Sequence, residues 1–237
     1  HGTTTIGLFG SGTLTVSDGA QATLQGAVVM AQNPGSAGSI SADGTNTHIR
    51  VYQSLDTGLG GTVDVTNDAA IDIGGTLATE HLNAVNIGNG GTLLGAGEVK
   101  TPVFLEAGGT VAPGDDPGIL TVDGDYTQSA NTILSIEIGG PTLGTDYSQL
   151  LVGGAASIAG ELDVVFINSY VPTAGDFVIL DSASLSGMFD AVHFFNVPAD
   201  LNVTYTNTSV IIGVPEPADI GLLCLALLPM LRRRRSN

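Results

Sequence analysis

Four short stretches decide the fold: Gly60-Gly61-Thr62-Val63, Gly74-Gly75-Thr76-Leu77, Gly90-Gly91-Thr92-Leu93 and Gly108-Gly109-Thr110-Val111. The Gly-Thr-(Leu/Val) unit recurs at steps of 14, 16 and 18 residues, with an earlier copy at Gly12-Thr13-Leu14. Such steps are too short for propeller blades, which repeat at roughly 40 residues or more. They suit the coil of a β-solenoid with two or three short strands per coil. A single coil cannot bury its inward Val, Ile and Leu, but stacked coils do so for one another. A β-sandwich with Gly-rich hairpins is the competing architecture; short-period self-similarity favours the solenoid.

The flanking sequence agrees. Thr13-Leu14-Thr15-Val16, Thr62-Val63-Asp64-Val65 and Ala70-Ile71-Asp72-Ile73 alternate apolar and polar residues, the period of a half-buried strand. Gly, Asn and Asp punctuate these runs at turn positions. Residues 1–125 are therefore read as Gly-rich solenoid coils. From residue 126 the runs lengthen, as in Ile133-Leu134-Ser135-Ile136-Glu137-Ile138 and Leu162-Asp163-Val164-Val165-Phe166-Ile167, and Tyr and Phe concentrate. Residues 126–213 are read as a β-rich cap that covers the open end of the stack, since an open end invites edge-to-edge association.

Charge limits the partners. The 237 residues carry 6 basic and 23 acidic side chains, a net charge of -17. Four of the six basic residues are Arg232, Arg233, Arg234 and Arg235, leaving Arg50 and Lys100 for everything upstream. Such a body repels nucleic acid. The single Cys224 lies in the apolar tail, so disulfides and Cys-ligated metals are excluded from the body. The chain starts at His1 rather than Met, and an upstream segment is expected.

The stretch from Gly108 to Asp190 carries a resemblance. Gly108-Gly109-Thr110-Val111-Ala112-Pro113-Gly114 leads into Pro117-Gly118-Ile119-Leu120-Thr121-Val122-Asp123-Gly124-Asp125-Tyr126. Leu134-Ser135-Ile136-Glu137-Ile138, Asp146-Tyr147-Ser148-Gln149-Leu150-Leu151-Val152 and Asp176-Phe177-Val178-Ile179-Leu180 follow. This order resembles the C-terminal region of autotransporter passenger domains. The resemblance covers about a third of the chain. It implies a right-handed parallel β-helix, export across the cell envelope and an adhesive or structural role. Nothing after residue 212 reads as the strands of a translocator barrel.

Residues 214–237 hold Pro215-Glu216-Pro217, the apolar run Ile220 to Leu231 and the four terminal arginines, in that order. The run reads as a short membrane helix, shorter than the ~20 residues that span hydrocarbon comfortably. The arginines would hold its end in the cytoplasm. This tail resembles the PEP-CTERM sorting signal of Gram-negative bacteria. The resemblance implies transient inner-membrane anchoring and processing near Pro215, Glu216 and Pro217 by an exosortase. Release to the cell surface or extracellular matrix would follow, in association with exopolysaccharide, biofilm or other cells.

The alternative is a secreted carbohydrate-active β-helix enzyme, a polysaccharide lyase or hydrolase, whose catalytic coils lie upstream. Inverting hydrolases need carboxylates roughly 6.5–9.5 Å apart. Asp115-Asp116 offers a pair, but between Pro113-Gly114 and Pro117-Gly118 it reads as turn chemistry. His1, His48, His81 and His193 show no zinc spacing. Calcium could use Asp64, Asp68 and Asp72, or Asp123 and Asp125, as oxygen ligands between coils. The nonapeptide calcium repeat is absent, and solvated outward acids are the preferred reading. The expectation is a non-enzymatic surface protein with no cofactor and no catalytic, cofactor-binding or metal residue.

Overall fold

The computed structural model describes residues 3–214 except 27, 31–32, 34–35, 52–53, 58–60, 67–68, 74–75, 79–84, 89, 100–101, 115–116, 173–174 and 197–200. Among the described residues there are twenty-four strands and no helix. The fold is an all-β parallel solenoid with three strand-bearing faces.

Numbered in chain order, face one carries β1 (Thr4–Ile6), β4 (Val28–Met30), β7 (Ser54–Thr57), β10 (Thr76–Ala78), β13 (Glu98–Val99) and β16 (Ile119–Val122). Face two carries β2 (Ser11–Ser17), β5 (Ala37–Asp43), β8 (Gly61–Thr66), β11 (Val85–Ile87), β14 (Val103–Leu105) and β17 (Tyr126–Gln128). The long β19 (Gln149–Ile158) pairs with both β16 and β17 and so joins the two faces. Face three runs β3 (Gln21–Leu24), β6 (His48–Val51), β9 (Ala70–Ile73), β12 (Thr92–Gly95), β15 (Thr110–Pro113), β18 (Ile133–Ile138), β20 (Glu161–Phe166) and β22 (Ala191–Phe195). Every pairing along these paths is parallel.

Alternation decides which side chains face inward. In β18, Leu134, Ile136 and Ile138 are buried while Ile133, Ser135 and Glu137 point outward. Stacking then aligns like with like. On face three a ladder runs Ala22, Ile49, Ile71, Leu93, Val111, Leu134, Leu162 and Val192, each in register with the next. Complete burial of such aliphatic side chains is worth about 1.5–3 kcal/mol each. The face-two column Leu14, Ile40, Val63, Val85, Val103, Tyr126, Ala156 shows the same logic with a volume adjustment. The large Tyr126 is followed by the small Ala156, which keeps the interior filled without overpacking.

The corner before face three has its own rule. Gly19, Asn46, Gly90, Gly108 and Asn131 occupy equivalent positions with φ of 78°, 60°, 82°, 85° and 59°. A left-handed turn residue is needed in each, and Gly or Asn supplies it at the lowest cost. The corners bond along the stack: the Gly90 N–H donates to the Gly108 carbonyl (2.8 Å) and the Gly108 N–H to that of Asn131 (2.7 Å).

One expectation needs revision. The steps of 14 and 16 residues are not coils, because Thr62, Thr76 and Thr92 lie in β8, β10 and β12, on three different faces. The step from Thr92 to Thr110 is a true coil of 18 residues, and other coils reach 30 (Glu161 to Ala191). The unit recurs because it marks the start of a strand on each face. Parallel pairing also continues across residue 125, through β18, β20 and β22. The longer apolar runs beyond residue 125 are longer coils of the same stack. Among the described residues, antiparallel pairing between strands joins β21 (Asp176–Gly187), β23 (Asn202–Tyr205) and β24 (Ser209–Gly213). There β24 covers the outer edge of β21, and Phe189 packs against Tyr205 with ring centroids 6.3 Å apart. The C-terminal helix expected over 220–231 lies outside the described residues.

Candidate functional site

The long coils carry the concave surface. After β20 the chain turns through Ile167, Asn168, Ser169 and Tyr170, with Asn168 and Ser169 both left-handed (φ 54° and 56°). After β22 it turns at Asn196 (φ 59°), whose amide donates to the Phe166 carbonyl at 3.3 Å. These stacked turns bound a depression of about 740 Å³ lined by Asn168, Ser169, Tyr170, Val171, Phe194 and Asn196 over a floor of Phe166 and Ile167. A second depression of about 530 Å³ adjoins it and shares Ile167 and Asn168. Its other walls are Pro117, Glu137, Gly139, Thr145 and Asp146. Together they form one trough along the solenoid axis. Tyr170 and Phe194 are half-buried, and the side chains of Asn168, Ser169 and Asn196 are exposed. Tyr170 is braced edge-on by Phe177 at 6.4 Å, and Phe177 in turn by Tyr147 at 5.2 Å.

On outward positions of β20 and β22, Glu161, Asp163 and His193 converge. His193 Nδ1 lies 3.0 Å from Asp163 Oδ1 and 3.7 Å from Glu161 Oε2. Two carboxylates and an imidazole are a donor set suited to a borderline divalent cation. Here Nδ1 is directed at Asp163 as a hydrogen-bonding partner. The cluster is largely open to solvent, where such pairs contribute about 0–1 kcal/mol.

The residues singled out from sequence are dispersed. Pro215, Glu216, Pro217 and Arg232 to Arg235 lie outside the described residues, as do Asp68, Asp115, Asp116, His1 and His81. Asp64 and Asp72 stand on faces two and three, in β8 and β9. The buried Asp72 accepts a hydrogen bond from Arg50 Nε at 2.6 Å. Asp125 accepts from the Ala155 N–H at 2.8 Å, which ties a corner to the next coil. His48 sits on β6 with Nε2 enclosed by protein, toward the far end of face three from His193.

The trough residues Asn168, Ser169, Tyr170 and Asn196 were not anticipated. The available signal was Asn directly after a long apolar strand, in Ile167-Asn168-Ser169 and Phe195-Asn196. No protein-family model and no curated protein matches this chain.

Proposed function

We propose that this chain is a structural or adhesive protein of a Gram-negative cell surface or extracellular matrix, exported and sorted by its C-terminal tail. Its body would act as a stiff spacer that presents a long lateral surface. The observation that supports this reading is the unbroken parallel ladder of face three, eight strands from β3 to β22. Each coil contacts its neighbours alone, so added coils lengthen the rod without altering its cross-section. The outer surface is rich in Thr, Ser, Asp and Glu, as suits a hydrated matrix. In this reading Ile220 to Leu231 holds the chain briefly in the inner membrane, Arg232 to Arg235 mark its cytoplasmic side, and an exosortase-type enzyme cuts near Pro215-Glu216-Pro217.

The test is cellular fractionation of the intact protein with mass spectrometry of its C-terminus. Recovery in the matrix without the residues after Pro217 is the expected result. An intact Arg232–Arg235 end held in the inner membrane overturns the sorting reading and leaves a membrane-tethered β-domain.

A further inference from the structure

We infer that the trough over the last coils is a binding site for a neutral polysaccharide chain. The inference rests on the surface-protein reading for its setting and on the trough itself for its chemistry. The lining combines two half-buried aromatic rings, Tyr170 and Phe194, with the amides of Asn168 and Asn196 and the hydroxyls of Ser169 and Thr145. A sugar ring has the matching surface: an apolar C–H face for an aromatic ring and hydroxyls at its edge that both donate and accept. Amides also do both, so they satisfy hydroxyls in either sense. A few polar groups set against apolar walls are the general form of a small-molecule site.

Shape and charge narrow the ligand. The trough crosses successive coils, which are about 4.8 Å apart in a parallel ladder. A pyranose unit is of similar length, so an extended chain places about one ring on each coil. Glu137 and Asp146 stand in one wall, and among the described residues no Lys or Arg lines either depression. That field disfavours uronic acids and sulfated sugars. Gly139 keeps the wall open: a Cβ there would sit 2.9 Å from Ile167 Cγ1 and 3.2 Å from Asn168 Nδ2.

The experiment is calorimetric titration of the whole chain with cellohexaose, maltohexaose and xylohexaose, and with hexagalacturonate as the anionic comparison. At least one neutral hexamer is expected to bind with a submillimolar Kd, and hexagalacturonate at least tenfold more weakly. Tyr170→Ala and Asn168→Gly should each weaken binding roughly tenfold, the loss of one good contact. Gly139→Leu should abolish it by filling the wall. Asn168→Gly keeps the left-handed turn, so it guards against misfolding of the Tyr170 variant, and thermal melts verify each fold. Absence of neutral-hexamer binding at millimolar concentration overturns the inference. So does equal affinity for hexagalacturonate, or binding that survives both Gly139→Leu and Asn168→Gly. A protein that reaches the matrix but binds no hexamer sinks the trough alone; one that binds but stays uncut in the inner membrane sinks the sorting reading alone.

Discussion

The coils between β6 and β15 advance 18 to 22 residues per turn, whereas those between β18 and β22 advance 28 to 30. The strands of a short coil are short, two to six residues each from β8 to β15. On face three its outward positions include Ala70, Thr92, Leu94, Thr110 and Ala112, and on face two Phe104. The long coils use their extra residues in two ways. Strands lengthen, to ten residues in β19 and twelve in β21, and residues of the turns after β18 and β20 line the trough. In a stack whose cross-section is fixed by its core, concavity arises where coil length exceeds what the core requires.

The largest difference between the two regions should appear at glycines. A Cβ at Gly109 would collide with the Ile87 carbonyl oxygen and come within 2.7 Å of Leu105 Cδ1, and backbone in a stacked coil has nowhere to go. Gly109→Ala is expected to cost about 3 kcal/mol. The same change at Gly139 meets the flexible end of Ile167 and should cost about 1 kcal/mol. Chemical denaturation of both variants checks this. Equal losses would mean that the long coils are packed as rigidly as the short ones.

Core truncation tests whether the two regions unfold together. Leu93 and Leu162 are fully buried rungs of the same ladder, and either Leu→Ala change should cost about 3 kcal/mol. With nearest-neighbour coupling, Leu93→Ala should speed amide exchange in β9, β12 and β15 while leaving β20 and β22 protected. Uniform acceleration along the chain would show a single cooperative unit, and the regional comparison would fail.

Legibility in the sequence followed the same division. Alternation in Ile133 to Ile138 and the Gly-Thr unit at Gly91 and Gly109 betray a stacked β-fold, because core and corner constraints act on local sequence. The coil length did not show, since the unit marks the start of a strand on any face. Nor did the trough. Asn168 and Asn196 are 28 residues apart, and only the stacking of two coils brings them together. The acids were legible as acids but not as a pattern: Asp72 is taken by Arg50, and Asp163 meets His193 through pairing of β20 with β22.

Where short coils give way to long ones, Tyr126 is wholly buried and donates its hydroxyl to Gln128 Oε1 at 3.0 Å; Gln128 Nε2 donates to the Glu161 carbonyl at 3.1 Å. Burial pushes the Tyr126 phenol pKa well above its ordinary value. The unfolded chain therefore loses this proton first as pH rises past about 10. Fewer protons on the unfolded state make stability fall with pH, by up to about 1.4 kcal/mol per pH unit from this group. Tyr126→Phe should remove that part of the alkaline loss while costing about 1–2 kcal/mol at neutral pH, since Gln128 Oε1 loses its donor. Stability curves from pH 8 to 11 decide it. An unchanged alkaline slope would mean that another group governs the transition zone.

The smallest expected effect is at the corner column. Asn131 holds φ 59° in register with Gly108, and its carbonyl accepts the Gly108 N–H. Asn131→Ala puts a Cβ residue into a left-handed conformation that it disfavours by about 1 kcal/mol. Asn131→Gly keeps the conformation at no steric cost, with only a few tenths of a kcal/mol from greater freedom of the unfolded chain. Asn168, left-handed in an exposed long-coil turn, should show the same order with a smaller spread, because an exposed turn can relax. Thermal melts of the four variants measure both spreads. If Ala and Gly are equivalent at Asn131, the corner is chosen for the side-chain amide of Asn and not for its backbone, and the rule drawn from Gly19, Asn46, Gly90 and Gly108 does not govern the stack.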